Sequence, residues 1–287
     1  MKCLVTGGAG FIGSHICEYL AGEGHEVISV DNYVTGKREN HVAGVKYIEA
    51  DVLDALDEVM HGVDVIYNNA ASKKTVCLKD PRKDLDTNAK GTFNLLELAV
   101  KHKVKRFVHA STGSVYGEPQ YAPQDERHPL NPVSYYGVSK LAGERYVEVY
   151  RKMYRLSTTI LRYFHVYGPR QDSSGEGGVV AIFADRIKRG KPITIFGTGD
   201  QERSFTYVGD VVKANMVAGE GVYNVASGRQ FTLKQLIRAI EMITGKKAKI
   251  RYDKWQAGDI REFDVCNRKI IDLMKFTPFF DGLKMTI

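Results

Sequence analysis

The residues best suited to chemistry are Tyr136 and Lys140, which lie four positions apart in the segment Tyr-Gly-Val-Ser-Lys. That spacing is close to one helical turn, so the two side chains would share one face of a helix. A phenol titrates near pH 10, and it can act as a base at neutral pH only if neighbouring positive charge lowers its pKa by about 3 units, or about 4 kcal/mol. The Lys140 ammonium can supply part of that charge, so the pair predicts a proton-transferring tyrosine.

A second motif gives weight to this pair, because a Tyr and a Lys at that spacing are common by chance. Ser111-Thr112-Gly113-Ser114 follows a strand pattern that ends near Ala110. Thr112 would therefore lie at the carboxyl edge of a parallel sheet, where such folds bind their ligands. We expect its hydroxyl to share a hydrogen bond with Tyr136 and a reacting oxygen.

The third motif is a glycine loop with the spacing GxxGxxG, formed by Gly7, Gly10 and Gly13. It lies between a predicted first strand and a helical stretch, where backbone N–H groups and the helix dipole favour a pyrophosphate. Asp31 ends the second strand pattern and can accept hydrogen bonds from ribose hydroxyls, which favours NAD over NADP. Lys37 and Arg38 keep NADP open as an alternative. The predicted cofactor contacts here are Gly7, Gly10, Phe11, Ile12, Gly13, Asp31 and Asn32, with Asp51 and Val52 at the adenine edge.

These motifs lie on alternating strand and helix patterns, which predict a parallel sheet covered by helices on both faces. The expected strands are 2–6, 26–30, 46–49, 64–67, 106–110 and 157–162, and the clearest helices are about 84–102 and 135–154. After Arg162 the pattern changes, and a Gly/Ser-rich stretch follows from Gly168 to Gly178. We therefore expect an α/β fold with a doubly wound, Rossmann-type sheet and a smaller C-terminal substrate lobe. The sheet domain would comprise 1–163 and about 205–231, and the lobe about 164–204 and 232–287.

Composition restricts the class of protein further. Hydrophobic residues make up 43% and charged residues 26% of the 287, and no apolar run is long enough for a membrane span. The net charge of +7 is spread along the chain without an aromatic-rich basic stripe, so we expect no nucleic-acid partner. The four cysteines have no metal-site or disulfide spacing, and Met1 leads almost directly into a strand, so we expect no metal, no signal peptide and a cytoplasmic location.

The motifs together resemble the UDP-glucose 4-epimerases of the extended short-chain dehydrogenase/reductase family. The resemblance runs in order through the glycine loop, Asn88 to Thr92, the Ser111-Thr112 turn, Tyr136 to Lys140, Leu161 to Arg170 and Arg203 to Val208. It implies NAD-dependent 4-epimerisation of a UDP-hexose through a transient 4-keto sugar. Tyr136 would be the base, Lys140 would lower its pKa and hold the nicotinamide ribose, and Thr112 would orient the sugar hydroxyl. Asn88 is carried over as a further cofactor contact, and a homodimer is expected from the family's four-helix interface.

The resemblance also implies a set of substrate contacts in the second lobe. Phe196 would pack on uracil, Arg203 would bind the diphosphate, and Asp259 would bind the nucleotide ribose. Phe263 would lie beside the sugar, and its bulk favours plain hexoses. The remaining predicted substrate contacts are Thr112, Lys73 and His165.

Three departures from the family pattern keep the substrate open. His165 stands where Asn is usual, Gln256 stands where Arg is usual, and the Ala70-to-Thr75 loop carries Lys73 and Lys74, which would suit a uronate. UDP-glucuronate 4-epimerisation is therefore one alternative. Gly113-Ser114 supplies no carboxylate for dehydration or decarboxylation. A net NAD(P)-dependent oxidoreductase and a catalytically silent NAD-binding scaffold are the alternatives from other classes.

Overall fold

The computed structural model describes residues 1–72, 74–174, 177–255 and 264–287. Its strands in chain order are β1 Lys2–Thr6, β2 Glu26–Asp31, β3 Val45–Glu49, β4 Val65–Asn68, β5 Arg106–Thr112, β6 Ser157–Tyr163, β7 Val166–Tyr167, β8 Pro192–Phe196, β9 Glu202–Arg203, β10 Thr206–Tyr207, β11 Gly221–Val225, β12 Phe231–Thr232 and β13 Lys249–Asp253. Its α-helices are α1 Phe11–Gly22, α2 Lys74–Lys79, α3 Pro81–Leu85, α4 Gly91–Lys101, α5 Tyr135–Tyr154, α6 Val179–Lys188, α7 Val208–Val217, α8 Leu233–Thr244, α9 Arg268–Ile271 and α10 Phe279–Thr286.

Seven parallel strands form the central sheet in the order β11-β6-β5-β4-β1-β2-β3. The chain moves outward from β1 through β2 to β3 and then returns to the other side of β1 to form β4. The carboxyl ends of β1 and β4 therefore diverge into different loops, which opens a crevice at this switch point. The predicted Rossmann-type α/β fold is confirmed.

The inner strands β6, β5, β4, β1 and β2 are buried on both faces, as near-continuous apolar strands require, whereas the edge strand β3 is partly exposed. Successive side chains of β1 alternate between the two faces, so Cys3 and Val5 join one apolar cluster and Leu4 joins the other. Helices α1 and α7 cover the first face, and α4 and α5 cover the second. This sandwich fixes the start of α1 and the face of α5 above the same sheet edge.

Helix α5 spans Tyr135–Tyr154, as the sequence predicts. The Ser134 side chain caps its N-terminus by accepting a hydrogen bond from the Gly137 N–H. The single helix predicted over 84–102 is instead α3, a π-helical turn at Asp86–Lys90, and α4. The π turn contains Asn88, whose buried side chain donates hydrogen bonds to Asp84 and Ser139.

The second layer of structure is a smaller apolar cluster around β8, α6, α8 and α10. Ile193 and Ile195 of β8 belong to the same buried cluster as Leu236 and Ile240 of α8. Helix α8 starts with a reciprocal capping box between Thr232 and Gln235. In the described part of the chain, no helix is both long enough and apolar enough to cross a membrane.

Candidate active site

The glycine loop joins β1 to α1 in a turn with no room for side chains. Gly7 has φ +68°, and a Cβ on Gly13 would lie 2.2 Å from the Gly7 carbonyl oxygen. The Gly10 N–H donates to that same oxygen at 3.0 Å, which closes the turn. Gly10 is the N-cap of α1 and offers no side-chain cap, so the first N–H groups of the helix are left for an anionic ligand.

Asp31 stands at the end of β2, next to the glycine loop, and is only 7% exposed. Its carboxylate accepts hydrogen bonds from the Ala9 N–H at 2.9 Å and the Tyr33 N–H at 2.8 Å. Beside it, Asn32 donates to Asp51 at 2.6 Å, which ties the ends of β2 and β3 together. Asp31 therefore shapes the loop as well as presenting a carboxylate to the cleft.

Helix α5 brings Tyr136 and Lys140 to the end of β5. A Cβ on Gly137 would lie 2.6 Å from the Ser114 carbonyl oxygen, so the helix start packs closely against the turn after β5. A side-chain hydrogen bond joins Tyr136 to Thr112. Lys140 lies one turn further on and is 2% exposed. Tyr136 and Lys140 thus face the same cleft, as their spacing predicts, and Thr112 lies beside the phenol.

Burial dominates the electrostatics of this pair. It raises the pKa of Tyr136 to about 12, against a smaller lowering from the Thr112 hydrogen bond. It lowers the pKa of Lys140 to about 8, opposed by the charges of Glu144 and Asp84. The phenol therefore needs more positive charge than the sequence suggests before it can act as a base at neutral pH.

A single cleft at this sheet edge collects nearly all the predicted cofactor contacts. It is lined by the predicted residues Gly7, Gly10, Phe11, Ile12, Gly13, Asp31, Asn32, Asp51, Val52, Tyr136 and Lys140. It is also lined by residues that the sequence analysis missed, among them Asn69, Ala70, Ala71, Ser72, Lys83 and Thr87. Residues 69–72 directly follow β4, the strand beside β1, so a sheet order worked out from the sequence could have placed them here.

Asn88 lies behind the cleft wall and does not line the cleft. It is fully buried, and its amide donates to Asp84 at 2.9 Å and to Ser139 at 3.0 Å. Its side-chain oxygen accepts the Ser72 N–H at 3.0 Å. In this structure Asn88 supports a wall residue and the residue before Lys140, and a direct cofactor contact remains a prediction.

A buried ion pair, which the sequence analysis did not identify, anchors α5 to the sheet. Arg162 of β6 donates to Glu144 of α5 at 2.7 and 3.0 Å, and both side chains are almost inaccessible to solvent. Glu144 also accepts from Ser111 in the cleft wall, and Arg162 donates to the Tyr116 hydroxyl at 2.8 Å. Breaking such a pair would leave an uncompensated buried charge, so it fixes α5 against β5 and β6.

The predicted substrate contacts lie beyond the cofactor cleft where the structure describes them. His165 follows β6 with φ +38°, and its ring meets the edge of Phe205 at 6.1 Å. Phe196 ends β8, and Arg203 lies in β9, opposite Phe231 of β12. Lys73, Gln256, Asp259 and Phe263 fall outside the described residues. The assignment of these residues to a substrate stays a prediction.

The fold and the cleft define a dinucleotide-binding protein of the Rossmann type that carries a Tyr/Lys pair at the switch point of its sheet. A sequence profile described as "NAD dependent epimerase/dehydratase family" matches residues 3–233. The chain belongs to this family.

Relatives with full-length similarity agree with this assignment. The chain is 42% identical over 265 residues to a putative UDP-glucose 4-epimerase of Methanocaldococcus jannaschii, covering 90% of this chain and 87% of the relative. A crystal structure of UDP-glucose 4-epimerase with UDP-glucose from Thermotoga maritima superposes with a TM-score of 0.95 at 38% identity, covering 100% of this chain and 97% of the other. A UDP-glucuronic acid 4-epimerase from Bacillus cereus, solved with UDP-glucuronic acid and NAD, gives 0.92 at 33% identity, covering 99% and 97%. The predicted resemblance and the expectation of an NAD-dependent enzyme are confirmed.

Proposed function

We propose that this protein is an NAD-dependent 4-epimerase of UDP-hexoses, an isomerase that works through a transient 4-keto sugar. The observation that carries the proposal is that Tyr136 and Lys140 line the glycine-loop cleft and that Thr112 is hydrogen-bonded to Tyr136. The similarity to UDP-glucose 4-epimerase over the whole chain supports the reaction class.

The residues of the cleft fit NAD. The uncapped start of α1 suits a pyrophosphate, and the Asp31 carboxylate suits the hydroxyls of an unphosphorylated ribose. Asn69 lines the same cleft, and its side-chain amide is buried with no protein partner among the described residues. A polar ligand would satisfy that amide. Arg38 is paired with Glu49 at 2.6 Å, which weakens the case for NADP.

The chain's own residues handle the proton and the orientation of the sugar. NAD, when bound, supplies a reversible hydride acceptor for the sugar C4 carbon and adds positive charge beside the phenol. Tyr136 takes the proton of the 4-hydroxyl and returns it to the same oxygen after the 4-keto sugar has turned its other face to the cofactor site. Lys140 supports the charged phenol, and Thr112 keeps the reacting hydroxyl next to it.

The turn after β5 disfavours a dehydratase. A Cβ on Gly113 would lie 2.4 Å from the Phe164 ring, so a carboxylate at position 113 would require Phe164 to move. The alternative that a specific observation favours is UDP-glucuronate as substrate, because a structural neighbour at a TM-score of 0.92 was solved with it.

The experiment uses purified protein without added cofactor. UDP-glucose, UDP-glucuronate and UDP-N-acetylglucosamine are incubated separately, and the products are identified by NMR. We expect UDP-galactose from UDP-glucose. Product from UDP-glucuronate alone would favour the alternative, and a stoichiometric demand for added NAD would support a net oxidoreductase instead.

Two further features of the protein belong to the proposal. We propose a division into an NAD-binding domain of 1–163 and about 205–231 and a sugar-nucleotide lobe of about 164–204 and 232–287, supported by the separate apolar cluster around β8 and α8. We also propose a cytoplasmic location, supported by four cysteines that are thiols and not disulfides, of which Cys3, Cys17 and Cys77 are buried.

We propose a homodimer through the outer faces of α4 and α5. Phe93, Tyr146, Val149 and Met153 are between 36% and 68% exposed there, and such an apolar stripe is typical of a subunit contact. Light scattering of wild type and Val149→Glu tests this, and a wild-type monomer would contradict it.

A further inference from the structure

A buried carboxylate lies beneath the start of α5, and the reaction described above makes no use of it. Asp84 of α3 is 1% exposed and accepts a hydrogen bond from the Asn88 amide at 2.9 Å. An aspartate is rarely buried to this degree unless a partner offsets its charge.

The hydrogen bonds of Asp84 lead to the catalytic helix. The Asn88 amide that donates to Asp84 also donates to Ser139 at 3.0 Å, and Ser139 directly precedes Lys140. The other end of the Asn88 amide accepts the Ser72 N–H in the cleft wall. Asp84 and Asn88 thus hold one side of α5 and one wall of the cleft together.

Charge gives the second link. Lys140 is 2% exposed, and the carboxylates that act on it are Glu144 and Asp84. Glu144 already accepts two hydrogen bonds from Arg162 and one from Ser111. Asp84, in turn, has Lys140 as the one cation acting on it in the described part of the chain. Glu144 has the larger effect on the ammonium but also pairs with Arg162, whereas the charge of Asp84 is directed at Lys140 alone among the described cations.

We propose that Asp84 is a positioning residue that keeps Lys140 charged and in place beneath the phenol, acting through its charge and through the Asn88–Ser139 hydrogen bonds. The inference rests on the proposed function, because it assigns Lys140 the task of supporting a charged Tyr136. It adds a residue that touches neither the sugar nor the cofactor cleft.

The direction of the effect follows from the surrounding groups. Removing the Asp84 charge lowers the pKa of Lys140, so the ammonium is lost at lower pH. The same change lowers the pKa of Tyr136, on which Asp84 also acts. Both limbs of the pH profile therefore move toward acid. The other titratable groups facing this cluster are Cys77 of α2, His109 of β5 and Glu144 of α5.

The test compares Asp84→Asn with Asp86→Asn, a matched control two residues away in the π turn. Asparagine at position 84 retains an acceptor oxygen for Asn88, so the fold should persist. Steady-state turnover of UDP-glucose is measured from pH 6 to 9.5. We expect the alkaline limb of Asp84→Asn to move down by about one pH unit, with about a tenfold loss at pH 8.5, and the control to follow wild type within about twofold. A uniform loss with unmoved limbs, or equal shifts in both variants, would overturn the proposal.

A second measurement does not depend on turnover. Burial already raises the folded-state pKa of Asp84 above its ordinary value, and in Lys140→Met the carboxylate also loses its cation, so this pKa rises further. Stability from a raised carboxyl pKa is present at low pH and is lost as pH rises through the folded value. We expect the melting temperature of Lys140→Met to fall relative to wild type between pH 5 and 7.5, and Asp84→Asn in the same background to remove that trend. If the difference in melting temperature between Lys140→Met and wild type does not change with pH, the charge coupling is refuted even if the proposed reaction is correct. The expected pH trend does not depend on which substrate the enzyme uses.

Discussion

Replacing Gly13 by Ala should weaken cofactor binding about a hundredfold through one added carbon. The new Cβ would lie 2.2 Å from the Gly7 carbonyl oxygen and 2.8 Å from the Gly7 carbonyl carbon. Both are backbone atoms, so no side-chain rotation can relieve the contact. The loop and the start of α1 must separate by about 1 Å to restore an ordinary contact distance, which displaces the N–H groups that face the cleft.

Gly22 in the same helix provides a matched control. A Cβ on Gly22, at the end of α1, would meet nothing within 4 Å. Gly22→Ala should therefore be neutral or should stabilise the fold by about 0.4 to 1 kcal/mol. A displacement of about 1 Å at a positioned ligand can cost about a hundredfold, or about 2.7 kcal/mol. That loss equals the stabilisation expected from NAD at about 100 times its Kd.

The assay is thermal unfolding of the three proteins with and without NAD, together with the NAD content after purification. Wild type and Gly22→Ala should gain about 5 °C or more with NAD, and Gly13→Ala should gain little and retain little cofactor. Equal gains in all three proteins would show that the glycine loop does not contact the cofactor.

Three other substitutions test separate parts of the site. Asp31→Ala should weaken NAD binding by about 2 to 4 kcal/mol, and unchanged cofactor content after purification would contradict this role. Because Asp31 also accepts hydrogen bonds from the Ala9 and Tyr33 N–H groups, the substitution should lower the melting temperature even without ligand. Because the pKa of Lys140 is about 8, turnover should decline above about pH 8, and Lys140→Arg should move any remaining activity toward higher pH. His165 should take up a proton when UDP binds, since a diphosphate favours imidazolium, so affinity should weaken as pH rises from 6 to 8.5. Calorimetry should show a flatter dependence for His165→Asn, and parallel curves would mean that His165 stays neutral.

The sequence predicts the sheet core well because its strands are buried on both faces. Lys2–Thr6 is correct at both ends, and the other five predicted strands are correct to within two residues at either end. The seventh strand, β11 Gly221–Val225, was missed. It starts at a glycine with φ +113°, so local pattern gives little sign of it, and its pairing with β6 fixes it.

Some residues of the site are set by local sequence, and others reach it only through the long-range order of the strands. The glycine loop and the Tyr136–Lys140 spacing are local, and the structure brings both to one cleft. Asn69, Ser72 and Lys83 reach the cleft because β4 returns beside β1, which single-residue pattern does not reveal. The buried Arg162–Glu144 pair depends on residues 18 positions apart meeting across a helix and a strand.

The most direct test of the account is the conversion of UDP-glucose to UDP-galactose by wild type and Tyr136→Phe, followed by NMR without added NAD. The substitution removes the proton acceptor and little packing volume, so NAD and UDP binding should be nearly unchanged while turnover falls by orders of magnitude. Wild type that forms UDP-galactose and a Tyr136→Phe variant that keeps its NAD but scarcely turns over would support the account. Activity of Tyr136→Phe within about tenfold of wild type would contradict it.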